Sequence, residues 1–169
     1  GKFVGQISGL LCAVGGGGDI EHAGGFRAFD FNHAANLGIA VVQAQIVHNH
    51  GLHFPGVENF DVIAGQGTIG LELIDQMKDV DVVVVPIGGG GLISGVAFAL
   101  KSLNPNIKVY GVQAAGAPSM KNSVEHKQIE RLDSVSTIAD GIAVKQPGEN
   151  TFNFCSQYVD GIVTVTDDE

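Results

Sequence analysis

The chain of 169 residues has few cysteines, few basic residues and no long apolar run, and each shortage excludes a class of protein. Its two cysteines, Cys12 and Cys155, are too few for a disulfide framework, so a reduced, cytoplasmic setting is predicted. Nine basic against eighteen acidic residues give a net charge of −9, which argues against nucleic acid because phosphate contacts need clustered Lys and Arg. The apolar stretch 7–14 is too short to span a membrane, so no membrane partner is expected.

An apolar run that ends in four glycines is the strongest local signal in the sequence. Four valines at 82–85 predict a strand buried on both faces, and apolar residues at helical spacing follow from Leu92 to Leu103. The glycines between them allow a positive φ and a close approach to a ligand, and the N–H groups that open the helix point outward. This junction predicts a phosphate cradle, with close packing of strand on helix as the alternative.

Helices and strands alternate along the second half of the chain. The pattern predicts helices at 63–77, 92–103 and 150–159, a polar helix and loop up to residue 134, and strands at 80–85, 108–114 and 162–166. Such alternation is typical of an α/β fold with an open, mostly parallel sheet and helices on both faces. Ligands of these sheets bind at the carboxyl ends of the strands, where the glycines fall.

Three other features are weaker candidates for chemistry. A second glycine run at 15–18 precedes Asp19 and Glu21, whose charges would repel an anion, so a flexible turn is predicted. The histidines at 48, 50 and 53 lack the further ligands of a zinc site and are interpreted as loop residues, so no metal is predicted. Generic nucleotide binding would need a Walker lysine or a ribose-binding acid, and neither stands at the expected place.

Three segments in a fixed order carry a family resemblance. They are DVIAGQGTIGLE at 61–72, VVVVPIGGGGL at 82–92 and STIADGIAV at 136–144. With them, residues 51–169 resemble the threonine/serine dehydratase group of fold-type II pyridoxal-phosphate enzymes, which also contains serine racemase. The resemblance implies that pyridoxal 5'-phosphate is the cofactor and that its binding residues include Gly88, Gly89, Gly90, Gly91, Leu92 and Gly141. For Asp140 a turn or cap is favoured.

The first residues carry two shorter matches. The sequence KFVG at 2–5 resembles the family's K-F-R-G, which implies that Lys2 forms the Schiff base, with a solvated terminal lysine as the alternative. Asn32, followed by His33 and Ala34, resembles the asparagine turn beside the cofactor's 3-hydroxyl. The chain departs from the family at Val4, where an arginine is usual, and at Asp30, where a serine is usual.

Two family segments have no counterpart here. Most of a small α/β domain is missing before residue 51, and the late turn that meets the pyridine nitrogen is missing after residue 169. We therefore predict a truncated small-domain remnant at 1–50 and a cofactor-binding α/β core at 51–169. The expectation is a fragment, a trimmed or redesigned version, or an incompletely known sequence of a longer protein.

The resemblance implies β-elimination of L-threonine or L-serine to a 2-keto acid and ammonia, with Lys2 as general base. It further implies a small amino-acid substrate, a homo-oligomer and a place in amino-acid metabolism such as isoleucine biosynthesis. Two alternatives stay open: an inactive or impaired domain that binds pyridoxal phosphate or phosphate, and a racemase, which Asp30 disfavours. Gln113 and Ser119 stand where racemases have acidic metal ligands, so no divalent ion is expected there.

Overall fold

The structure, a computed structural model, describes residues 39–41 and 59–169. Several predictions fall on other residues and lie outside the described part. They concern Lys2, Asn32, the glycine run at 15–18, the histidines at 48, 50 and 53, and all of the small-domain remnant at 1–50 except residues 39–41.

Four parallel strands form one open sheet. They are β1 (Ile39–Val41), β2 (Val82–Pro86), β3 (Lys108–Ala114) and β4 (Gly161–Val165), and they lie side by side in the order β1-β2-β3-β4. Val84 pairs with Tyr110, and Tyr110 pairs in turn with Gly161. This arrangement confirms the predicted α/β class with an open parallel sheet.

Helices occupy the connections between the strands, because a parallel pair needs a long crossover. They are α1 (Phe60–Gln76), α2 (Gly91–Leu103), α3 (Ser119–His126) and α4 (Glu149–Tyr158), with a short 3₁₀ helix at Asp140–Ile142. Helix α1 begins at Phe60 because the side-chain oxygen of Asn59 accepts the Asp61 N–H at 2.8 Å. None of the described helices is long and apolar enough to cross a membrane.

The main core lies between α2 and one face of the sheet. Val83, Val85 and Val109 on that face are fully buried with Ile93 and other α2 residues. Among the described residues, Val82 and Val84 on the opposite face are only half-buried, so the two faces of β2 are not equally covered.

The apolar stripe of α2 ends earlier than its sequence pattern predicts. Val96, Ala99 and Leu100 are buried as expected, but Leu103 is 59% exposed. The prediction for Leu103 is wrong because this residue ends the helix and the chain turns toward β3 directly after it.

Helices α1 and α2 pack backbone to backbone. A Cβ added to Gly95 of α2 would lie 2.6 Å from the backbone nitrogen of Gly67 on α1. A Cβ on Gly70 would lie 2.9 Å from the Cβ of Ala99. This close approach fixes the position of α2, and with it the end of the helix that follows the four glycines.

Candidate functional site: a glycine loop at the carboxyl end of β2

The four glycines form a loop, residues 88–91, that joins the carboxyl end of β2 to the first residue of α2. Gly90 has a φ of 96°, in the left-handed region that favours glycine. A Cβ at Gly90 would lie 2.6 Å from Cε of Met120 and 2.8 Å from Cβ of Thr151. Both the backbone conformation and the available space therefore require glycine at this position.

The N–H groups of this loop are free to meet an acceptor. Among the hydrogen bonds of the described residues, none is donated by the backbone N–H of Gly88, Gly89 or Gly90. The first N–H groups of α2 also lack acceptors within the helix, and no side chain caps them at Gly90. No acidic residue stands in the first turn of α2, so the positive end of the helix dipole is uncompensated there. This donor set fits an anion such as a phosphate monoester.

The carbonyl groups of the loop are held from the opposite side. The carbonyl of Gly89 accepts the hydroxyl of Thr151 at 2.6 Å, and the carbonyl of Gly90 accepts the N–H of Ser94 at 3.0 Å. Just before the loop, the carbonyl of Ile87 accepts Nε2 of Gln113 at 3.4 Å. Thr151 and Gln113 are fully buried, and no local pattern in the sequence points from either of them to the loop.

The segment 140–144 lies directly against the loop. A Cβ added to Gly88 would lie 3.1 Å from Cα of Ile142 and 3.5 Å from the carbonyl oxygen of Gly141. The structure therefore brings Gly88 and Gly141 together although 53 residues separate them in the numbering of the chain. Within the described part of the chain, a Cβ on Gly141 would meet no atom within 4 Å. Asp140 is the first residue of the 3₁₀ helix, in keeping with a turn position.

Gln113 and Ser119 both have structural partners. Oε1 of Gln113 accepts the Lys121 N–H at 2.8 Å, and the hydroxyl of Ser119 donates to the carbonyl of Val144 at 2.7 Å. Within residues 59–169, no three His, Cys, Asp or Glu side chains group together as metal ligands would. The expectation that no divalent ion binds at Gln113 and Ser119 stays a prediction.

Cys155 lies behind the loop, on α4, and is buried as its helical pattern predicts. Burial raises the pKa of its thiol to about 12, and a weak contact with the Ser94 hydroxyl lowers it only slightly. Because the thiolate is the nucleophilic form, the raised pKa disfavours reaction of Cys155 at neutral pH, and its side chain packs in the core.

Comparison with known proteins identifies the family in which such a loop occurs. Residues 16–169 match the family described as pyridoxal-phosphate dependent enzymes. The chain belongs to this family. The family's cofactor carries one phosphate monoester, which is the kind of anion that the loop donors fit.

Relatives within the pyridoxal-phosphate family include several ammonia-lyases. The chain is 56% identical over 108 residues to an L-threonine ammonia-lyase of Thermotoga maritima, covering 64% of this chain and 27% of that protein. The structure of a processed threonine deaminase isoform 2 from Solanum lycopersicum shares 46% identity at a TM-score of 0.67, covering 68% of this chain and 32% of that one. A maize serine racemase shares 41% identity at a TM-score of 0.62, covering 63% of this chain and 33% of that one. The chain thus spans about a third or less of each of these relatives.

Proposed function

We propose that this chain is the cofactor-binding core of an enzyme that eliminates the β-hydroxyl of L-threonine or L-serine and releases a 2-keto acid and ammonia. The observation that carries the proposal is the row of loop N–H groups at Gly88, Gly89 and Gly90, which donate to no acceptor among the described residues, in a chain of the pyridoxal-phosphate family. The threonine ammonia-lyase and threonine deaminase relatives support the choice of substrate.

Each residue of the proposed site has a distinct role in binding or catalysis. The N–H groups of residues 88–91 and Leu92 bind the phosphate, and Gly141 is proposed to contact the cofactor beside them, since it lies next to Gly88. Lys2 and Asn32 lie outside the described residues and are proposed to bind the cofactor's aldehyde carbon and its 3-hydroxyl. Bound pyridoxal phosphate supplies an electron sink for the charge left at the substrate's α-carbon. Lys2 is the proposed base that takes the α-proton.

The test is an absorbance titration of the full chain with pyridoxal phosphate, followed by borohydride reduction and mass mapping. We expect one adduct on Lys2 and 2-keto acid release from threonine or serine. Lys2→Ala is expected to lose both, whereas Lys78→Ala, which changes a lysine with a 72% exposed side chain, is expected to retain both. Adducts scattered over surface lysines would contradict the enzymatic proposal and leave a domain that only binds phosphate.

A racemase is the second candidate, and the 41% identity to maize serine racemase supports it. Asp30 counts against it, because the family places a serine there to return the proton from the opposite face. Chiral chromatography after incubation with L-serine separates the two functions, since D-serine without keto acid would favour racemization.

We further propose a homo-oligomer in the cytoplasm, with a place in amino-acid metabolism such as isoleucine biosynthesis. Four aromatic rings cluster across α1, α2 and α4, and Phe60 and Phe98 among them are 61% and 45% exposed. An exposed aromatic cluster of this kind supports association, because large apolar groups on a surface are typical of interfaces. Sedimentation velocity of the wild type and of Phe98→Ser tests it, with a smaller species expected for the variant.

A further inference from the structure

The direction of each N–H group in the glycine loop depends on the carbonyl that precedes it. In a trans peptide unit the C=O and the following N–H point in opposite directions. No cis peptide bond occurs in the described residues. A carbonyl held toward the protein interior therefore turns the next N–H outward. Holding the carbonyl of Gly89 accordingly aims the N–H of Gly90 away from the core.

Thr151 is the residue that holds the carbonyl of Gly89. Its hydroxyl oxygen lies 2.6 Å from that carbonyl and 3.1 Å from the carbonyl of Gly148. A hydroxyl has one proton to donate, and the shorter distance assigns it mainly to Gly89. The residue is fully buried, so water does not compete for the carbonyl.

Thr151 also restricts the conformation of the loop by steric contact. Its Cβ would lie 2.8 Å from any Cβ added at Gly90, so the threonine occupies the space next to the left-handed residue. The helix that carries Thr151 is itself fixed to α2, because Ser94 contacts both the Thr151 carbonyl at 3.5 Å and Cys155 at 4.0 Å. The Thr151 hydroxyl therefore contacts the loop from a buried position on a rigid helix, and not from an exposed position.

We infer that Thr151 is a positioning residue that turns the N–H of Gly90 toward the phosphate, and so contributes to this site's preference for a phosphorylated ligand. The inference rests on the proposed function, since the anion is taken to be the cofactor's phosphate. Thr151 itself does not contact the ligand. It acts through the peptide between Gly89 and Gly90.

The experiment measures dissociation constants of the full chain for pyridoxal 5'-phosphate and for pyridoxal, which lacks the phosphate. Their ratio isolates the loop from the rest of the site. We expect Thr151→Val to weaken binding of pyridoxal phosphate about tenfold and to leave pyridoxal binding unchanged, because the isosteric variant removes only the hydroxyl. Thr151→Ser keeps the hydroxyl and is expected to stay within about threefold of the wild type.

Thr68→Val is the matched control. Thr68 also donates its hydroxyl to a carbonyl three residues earlier, that of Gly65 at 2.8 Å, but it is exposed on α1 and away from the loop. Thr68→Val is expected to keep the wild-type ratio of the dissociation constants for pyridoxal phosphate and pyridoxal. If Thr151→Val does not fold, Thr151→Ala takes its place, and the same fall in the ratio is expected.

Three outcomes would overturn the inference and are distinguishable. A wild-type chain that binds pyridoxal phosphate no better than pyridoxal overturns the proposed function, and this inference with it. A wild type with a clear preference, which Thr151→Val and Thr151→Ala both keep, overturns the inference alone. Loss of pyridoxal binding in step with pyridoxal phosphate would also count against it, because that pattern shows a general structural defect.

Discussion

At the scale of single residues, Asp160 is a charged group whose contacts join several elements. Its carboxylate accepts the Val109 N–H at 2.8 Å, Nζ of Lys101 at 2.6 Å and Nζ of Lys108 at 3.1 Å. Lys101 also donates to the carbonyl of Ile107 at 2.7 Å. The group thus ties the end of α2 and the start of β3 to the residue that precedes β4.

The contacts of Asp160 predict an acid dependence of stability. Burial alone would raise the pKa of this carboxyl, but the hydrogen bonds from Lys101, Val109 and Lys108 outweigh it and hold the pKa below the ordinary value. A lowered native pKa means that the stabilisation is present above the ordinary pKa of about 3.9 and is lost as the pH falls through the native pKa. Asp160→Asn should lower the free energy of unfolding at pH 7 by about 2 kcal/mol and flatten its dependence on pH in that acid range.

Urea unfolding of the wild type and of Asp160→Asn between neutral and acid pH measures the free energy of unfolding and its dependence on pH. Asp75→Asn is the control, because Asp75 pairs with Lys78 on the surface with a side chain that is 86% exposed. Its expected change is within about 0.5 kcal/mol. Identical acid profiles for the wild type and Asp160→Asn would contradict the prediction.

Cys155 gives a second prediction for a single residue. Because burial raises the pKa of its thiol to about 12, Cys155 in the native chain should stay unlabelled by iodoacetamide at pH 8. The same residue should label fully in urea. Mass mapping separates Cys155 from Cys12, and rapid labelling of Cys155 under native conditions would show that α4 opens readily.

At the scale of elements, local signals predicted four helices and three strands, with most ends within one or two residues, but missed one strand. Strand β3 was predicted at 108–114 and is found at Lys108–Ala114. Pro105 and the pattern of apolar residues after it delimit this strand in the sequence. Helix α1 was predicted from residue 63 and begins at Phe60, since the cap by Asn59 extends it. Strand β1, with three residues, was not predicted, because only its pairing with β2 distinguishes it from coil.

The contact between α1 and α2 predicts opposite results for two glycine-to-alanine changes. Gly95→Ala should destabilise the fold by about 2 kcal/mol or more, because its Cβ would overlap the backbone of α1 near Gly67 and the helices would have to separate. Gly65→Ala is the matched control on α1. Its Cβ would meet nothing within 4 Å, so helix propensity alone should stabilise it by up to about 1 kcal/mol. Thermal unfolding measures both, and a neutral Gly95→Ala would show that the helices do not pack this closely.

At the scale of the whole molecule, the sequence predicted where the glycine loop lies but not what shapes it. The glycine loop is a local pattern, so its place after a buried strand could be predicted from residues 82–92 alone. The side chains that hold its carbonyls come from far along the chain. Thr151 follows Gly89 by 62 residues, and Gln113 follows Ile87 by 26. A threonine within a helix carries no signal of such a partner, and only the packing of α4 against α2 creates it.

Binding of the proposed ligand at this loop would link occupancy of the site to the stability of the entire domain. A ligand that binds only the folded chain raises its free energy of unfolding, by about 2.7 kcal/mol when present at about 100 times its dissociation constant. Pyridoxal phosphate should raise the melting temperature more than pyridoxal at equal concentration, because only the former carries the phosphate. Gly90→Ala should lose this difference in melting temperature between the two ligands. A Cβ at residue 90 would overlap Met120 and Thr151 and would force the loop into another conformation.

Differential scanning calorimetry measures each variant against its own ligand-free melting temperature, which separates lost binding from lost stability. Gly65→Ala should keep the wild-type difference between the two ligands, because its Cβ faces open space on α1. If Gly90→Ala kept that difference while still folding, the phosphate would have to bind elsewhere. The left-handed glycine would then serve only the junction of β2 with α2, which is the packing alternative that the sequence left open.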